Sequence, residues 1–106
     1  MAGDMILDEA QQALFDDMSL VLDATDDDLA LMGRTQDMVN MLLKRPGDAA
    51  LRDQTLGEIS RFFLGIMKTR DLSAEYRGRK LKMFAKATLR LLIAKRPITA
   101  ADSTSV

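Results

Sequence analysis

Four segments of the chain repeat their apolar residues every three to four positions, which is the period of an α-helix that buries one face. Short breaks separate the segments, with Pro46 and Gly47 in one break and Ser73 in another. Because short connections place consecutive helices side by side, the sequence predicts an all-α fold, an antiparallel helical bundle of four amphipathic helices. The predicted helices span residues 5–23, 26–44, 49–69 and 74–95.

A polar residue that can cap a helix precedes each of the four segments. These predicted caps are Asp4, Thr25, Asp48 and Ser73. Thr25 and Asp28, three positions apart, resemble a capping box. Pro97 ends the fourth segment, because proline does not continue a helix. The sequence therefore predicts a single helical domain over residues 1–97 and a flexible C-terminal tail over residues 98–106, where the periodicity is lost.

The composition removes several classes of chemistry. The chain contains no cysteine and no histidine, which excludes disulfides, cysteine-ligated metals and the commonest general base and zinc ligand. Its acids lie mainly on the polar arcs of the first two predicted helices, where water keeps them ionised and unsuited to acid–base catalysis. We therefore expect no enzyme and no catalytic, cofactor-binding or metal-binding residues. Its longest apolar runs are only a few residues, so we expect no membrane span and a cytoplasmic protein.

The N-terminal part of the chain is acidic, and the rest of the chain is basic. Residues 1–40 carry a net charge of −9, residues 41–70 carry +3 and residues 71–106 carry +5, within a total of −1. Such a chain can neutralise itself when its halves pack together, or it can bind charged partners with either half. Internal neutralisation is the simpler interpretation.

The fourth predicted helix carries a basic ridge opposite its apolar arc. The basic ridge consists of Arg79, Lys82, Lys86 and Arg90, and it spans about 16 Å at 1.5 Å per residue. It could contact nucleic-acid phosphates, bind an acidic protein partner, pair with the acidic arc of the first helix, or remain solvated. The ridge has no interleaved aromatic residue for base stacking and no side-chain amide for reading base edges. The sequence therefore favours solvation or internal pairing.

The second predicted helix carries two apolar stripes, where one is usual. The first stripe comprises Leu29, Met32, Val39 and Leu43. The second stripe comprises Leu31, Met38, Met41 and Leu42. A second copy of the chain, a protein partner or the chain's own core could cover the second stripe, and methionine is frequent on surfaces that adapt to partners. We take the second stripe as the candidate protein interface.

Together these features predict a small non-catalytic interaction protein. We expect it to form a homodimer, with the second stripe at or near the interface. We also expect it to bind and sequester or remodel a protein partner, as anti-activators and chaperone-like regulators do. The alternative is a small nucleic-acid-binding regulator that uses the basic ridge. Salt separates the two, because phosphate binding weakens steeply as salt rises and binding at an apolar interface hardly changes.

Overall fold

The computed structural model describes residues 6–95, and within them the chain is helical with no strand. The helices are α1 (Glu9–Asp23), α2 (Asp28–Leu42), α3 (Ala49–Lys68) and α4 (Ala74–Lys95), with a short 3₁₀-helix (Pro46–Asp48) before α3. The prediction of an all-α chain with four helices is confirmed. Asp4, Pro97 and the predicted tail over residues 98–106 lie outside the described residues.

The first helix begins at Glu9 instead of residue 5, because Asp8 caps it. Asp8 has an extended backbone, and its carboxylate accepts a hydrogen bond from the Gln11 amide at 2.8 Å. The side-chain oxygen of Gln11 in turn accepts a hydrogen bond from the Asp8 amide at 2.9 Å. This reciprocal pair is a capping box, which satisfies amides that the first turn of a helix leaves without helical partners.

Thr25 does not cap α2, contrary to the prediction. Its buried hydroxyl donates a hydrogen bond to the Val21 carbonyl at 2.7 Å, at the end of α1. Asp27 takes the capping position, since its backbone is extended and its carboxylate accepts from the Ala30 amide at 2.8 Å. The sequence offers several adjacent capping residues, and the path of the backbone between α1 and α2 decides which of them is extended.

The bounds of α3 and α4 lie within one residue of those predicted. The hydroxyl oxygen of Ser73 accepts a hydrogen bond from the Tyr76 amide at 3.1 Å, so this predicted cap is confirmed. Asp48 directly precedes α3 as predicted, but its side chain makes no capping hydrogen bond. The chain instead enters α3 through the 3₁₀-helix that Pro46 begins, because the fixed φ of proline suits the first position of a helix.

The helices α2 and α4 lie between α1 and α3. Both contact each of the other three helices, whereas α1 and α3 make no contact with each other. All four helices contribute to the core, whose fully buried side chains include Leu22, Leu43, Ile59, Phe63, Leu81, Leu89 and Ile93. Because α4 packs against three helices, it buries a wider face than a single contact would need.

Ion pairs join acidic residues within positions 1–40 to basic residues of α4. Arg77 Nε lies 2.6 Å from Asp28 Oδ2, and both side chains are partly buried. Lys86 Nζ lies 2.7 Å from Asp23 Oδ1. Internal neutralisation, the simpler interpretation of the charge asymmetry, is confirmed for these residues.

Candidate functional site

An open groove with a volume of about 630 Å³ runs between α3 and α4. Ligand-binding clefts have volumes of roughly 300–1,000 Å³ and are mainly apolar with a few polar groups. This groove, here called the α3–α4 groove, has that character. Its lining residues are Leu51, Gln54, Thr55, Glu58, Arg61 and Phe62 of α3, and Phe84, Thr88, Leu91, Leu92 and Lys95 of α4.

Two stacked phenylalanine rings form part of the groove wall. The ring centroids of Phe62 and Phe84 lie 4.1 Å apart, and the ring planes differ by 12°. Such a pair contributes about 0.5–1.5 kcal/mol beyond the burial of its area. Both residues are only half-buried, so part of each ring remains accessible. A molecule that enters the groove therefore meets an aromatic surface whose geometry is already set.

The position of each phenylalanine on its helix explains why the pair lies at a surface. Ile59 and Phe63 lie one turn apart on α3 and are fully buried, and Phe62 is rotated by about 100° from Phe63. On α4, Ala85 is fully buried, and Phe84 is rotated from it by the same angle in the same sense. Each ring thus lies at the edge of a buried face, where it meets the other ring across the two helices.

The lips of the groove carry exposed leucines and charged side chains. Leu91 is 45% exposed and Leu51 is 36% exposed, although the helical periodicity assigns both to apolar faces. Glu58 and Arg61 lie one turn apart on α3, and Lys95 is the last residue of α4. Within residues 6–95, none of these three charged side chains forms an ion pair. An apolar surface with charges of both signs at its rim is typical of a protein interface.

Comparison of the chain with protein-family models, with curated proteins and with solved structures found no significant match. A role for the α3–α4 groove has therefore to be inferred from its own shape and chemistry. Among the residues that the structure describes, no helix has both the length and the apolar character needed to cross a membrane.

The structure places the members of the second stripe in different environments. Leu31 is 1% exposed and belongs to the core, so the folded chain does not offer it to a partner. Met38 and Leu42 are partly buried against the core. Met41 is 53% exposed and is the most accessible member of the stripe. These four residues therefore do not form one exposed surface.

The two predicted stripes of α2 did not separate core from surface, because the buried face lies between them. The buried residues of α2 are Leu31, Thr35 and Val39. Thr35 can be buried because its hydroxyl donates to the Leu31 carbonyl at 2.7 Å. Leu29, from the first stripe, is exposed. Contacts with three other helices explain how α2 buries one wide face that includes parts of both stripes.

The basic ridge lies along the end of α1, and two of its lysines bind there. Lys82 Nζ donates to the Asp23 carbonyl at 3.1 Å and lies 3.9 Å from Asp26 Oδ1. Lys86 Nζ pairs with the Asp23 carboxylate. Cations are favourable at the C-terminal end of a helix, where free carbonyl groups carry partial negative charge. Internal pairing therefore describes Lys82 and Lys86.

The other two ridge residues also face the first half of the chain. The guanidinium of Arg90 lies over the ring of Phe15, 5.7 Å from its centroid, which is cation–π geometry. Arg79 is exposed and lines a smaller cavity of about 260 Å³ that Asp26 and Glu75 also line. The ridge is thus bordered by acidic and aromatic groups of the same chain.

The α3–α4 groove was not among the sites predicted from sequence. The third and fourth predicted helices also have more apolar residues than one core covers. Leu51 and Leu91 are exposed, as are Leu64 and Met83 outside the groove, whereas Phe62 and Phe84 are partly buried against the core. Helical periodicity alone does not indicate which of these residues line a groove.

Proposed function

We propose that this protein is a non-catalytic interaction protein that binds a protein helix in the α3–α4 groove. The observation that carries this proposal is the accessible apolar surface formed by Phe62, Phe84, Leu51 and Leu91. Amphipathic helices commonly dock by laying their apolar face into such a groove. Aromatic residues near the centre of an interface contribute a large share of binding energy.

The length of the groove suits about three turns of a bound helix. From Leu51 to Phe62, α3 rises by roughly 16 Å at 1.5 Å per residue. A bound helix of this length presents apolar side chains at positions i, i+3 or i+4, and i+7. Those side chains would contact the leucines at the lips and the phenylalanine rings.

We further infer that neighbouring helices run antiparallel, which gives the groove parallel walls. Arg52 Nη1 donates to the Leu43 carbonyl at 3.1 Å and so joins the start of α3 to the end of α2. Gln36 Nε2 donates to Ser60 Oγ at 2.9 Å, which joins the middles of the same helices. The short connection between α3 and α4 favours the same arrangement for that pair.

Binding without catalysis is sufficient for a regulatory role. A protein that binds a helix of its partner can sequester the partner or change its conformation, as anti-activators and chaperones do. We include this role and a cytoplasmic location in the proposal. The alternative, a nucleic-acid-binding regulator, has weaker support, because Lys82 and Lys86 of the basic ridge pair with Asp23 and Asp26 of the same chain.

A capture experiment with matched variants tests the proposal. Leu91→Glu places a carboxylate in the groove, and Leu20→Glu places one on the exposed face of α1 outside the groove lining. Cell extract of the native host is passed over the wild type and both variants, and a protein retained by the wild type is purified for a Kd measurement. We expect Leu91→Glu to raise the Kd at least about ten-fold, because the new charge is buried in the complex.

We expect Leu20→Glu to leave that Kd unchanged, which controls for the general effect of an added charge. Circular dichroism of both variants checks that their helicity is unchanged. A partner that binds Leu91→Glu as tightly as the wild type would show that the groove is not the binding surface.

A further inference from the structure

We propose that the occupant of the α3–α4 groove is a second copy of this chain, so that α3 of each copy packs against the groove of the other across a two-fold axis. This inference rests on the proposed function of the groove as a protein-docking surface, and it names the partner. In this dimer α3 and α4 form the interface, whereas the sequence predicted an interface on α2.

A two-fold interface uses the same surface patch on both copies, so the patch has to be complementary to itself. Two of the three charged residues of the α3–α4 groove, Glu58 and Arg61, meet this requirement. Glu58 and Arg61 have opposite charges, lie one turn apart on α3, and are both exposed. When two α3 helices pack antiparallel around an axis between these positions, Glu58 of each copy lies beside Arg61 of the other.

The charges of Glu58 and Arg61 are available for such contacts. The acidic and basic halves of the chain already neutralise each other through Arg77 with Asp28 and through Lys86 with Asp23. Neither Glu58 nor Arg61 takes part in an ion pair within residues 6–95. Both side chains are exposed and can therefore contact a second molecule.

The apolar part of the groove is also complementary to itself. Leu51 and Leu91 are exposed at the lips, and the rings of Phe62 and Phe84 are half-buried between them. A facing copy supplies the same four side chains, so leucine and phenylalanine surface of both copies leaves water together. The net charge of −1 per chain means that two copies repel each other little at long range.

Sedimentation velocity of the purified full chain across the micromolar range tests this proposal. We expect a reversible dimer for the wild type and for Leu20→Glu. We expect Leu91→Glu to raise the dimer Kd at least about ten-fold, because its carboxylate is buried in the dimer. Circular dichroism establishes that each variant keeps the wild-type helicity.

A charge reversal distinguishes the two-fold pairing from other arrangements. Glu58→Arg and Arg61→Glu should each raise the dimer Kd, because each places like charges opposite one another. The double variant Glu58→Arg with Arg61→Glu should recover the wild-type dimer Kd, because both reciprocal pairs are restored with reversed sign. Failure of the double variant to recover dimerisation overturns the proposed packing.

The result also separates this proposal from the proposed function. A wild-type chain that is monomeric throughout the concentration range, or a dimer unaffected by Leu91→Glu, overturns the second-copy proposal. If a different protein then binds the groove in a manner that Leu91→Glu abolishes, the proposed function stands with another occupant. If neither association depends on Leu91, both proposals fail.

Discussion

A single buried side chain, Gln11, holds together two parts of the fold. Its oxygen accepts a hydrogen bond from the Asp8 amide and completes the capping box of α1. Its Nε2 donates to the Ile93 carbonyl at 2.9 Å and so joins the start of α1 to the end of α4. A buried amide side chain is costly unless it is hydrogen-bonded. Gln11 satisfies this requirement by bonding to the Asp8 amide and the Ile93 carbonyl. Both groups lie at helix ends and also need hydrogen-bond partners.

Replacement of Gln11 by alanine should destabilise the chain. Gln11→Ala removes the hydrogen bonds to Asp8 and Ile93, and we expect it to lower the free energy of unfolding by about 2 kcal/mol. Gln12→Ala is the matched control, because the Gln12 side chain donates to the Asp16 carboxylate in an exposed position, and its effect should stay within about 0.5 kcal/mol. Urea unfolding followed by circular dichroism measures both. Equal effects of the two variants would contradict the role given to Gln11.

Among the elements, α4 uses three different faces. One face, with Leu81, Ala85 and Leu89, is fully buried in the core. A second face lines the α3–α4 groove through Phe84 and Leu91. The third face is the basic ridge along α1. The core face, the groove lining and the basic ridge thus occupy three sides of α4, whereas α3 has an exposed glycine that packing does not require.

Gly65→Ala should stabilise α3. Gly65 lies within α3, its φ is not positive, and a Cβ built there would have no heavy atom within 4 Å. Alanine favours the helix by up to about 1 kcal/mol relative to glycine, which corresponds to a rise in Tm of about 4–8 °C for a domain of this size. The reverse change at an exposed position of α4, Ala87→Gly, should lower Tm by a similar amount. Thermal unfolding followed by circular dichroism measures both, and a lower Tm for Gly65→Ala would show that the space at this position is not free.

At the scale of the whole molecule, the packing of α2 decides which apolar residues are available to partners. The chain buries Leu31 and leaves Met41 exposed, although both belong to one predicted stripe. It also directs the acids near the end of α1 toward the basic ridge. Part of the apolar surface that remains accessible lies in the α3–α4 groove, through Leu51 and Leu91.

Aspartate substitutions on α2 test this assignment of core and surface. Leu31→Asp buries a charge without a partner, and we expect it to lower the free energy of unfolding by at least about 4 kcal/mol. Met41→Asp places the same charge in water near the C-terminal end of α2, where an anion is mildly unfavourable, and should lower that free energy by no more than about 1 kcal/mol. Urea unfolding and far-UV circular dichroism distinguish these results. A Leu31→Asp chain as stable as Met41→Asp would show that Leu31 lies at a surface.

The positions of the helices could be predicted because the signals for them are local. The bounds of α4 agree with the prediction, and those of α3 differ at one end by one residue. Apolar periodicity, the Ser73 cap and the break at Pro46 all depend on residues that are close together in the chain. The choice among adjacent capping residues is harder. Asp27 and Thr25 are both good caps in isolation, and only the fold of the connection selects Asp27.

The candidate site could not be predicted in the same way. Phe62 and Phe84 each have an ordinary place in a helical pattern, and nothing local indicates that they stack. The periodicity of α2 showed an excess of apolar residues, but it could not tell which of them the neighbouring helices cover. The basic ridge was visible as a pattern, whereas its pairing with Asp23 depended on where α1 ends relative to α4.

By itself, the sequence determined that this chain forms four helices, that it has no cysteine or histidine chemistry, and that its two halves carry opposite charge. Only the tertiary structure decided that Leu31 is buried, that the ridge lysines bind the end of α1, and that an aromatic groove stays open between α3 and α4. The physical reason is the range of the interactions. Helix formation depends on neighbours within a few residues, whereas the pairing of helix faces is set by the packing of all four helices at once.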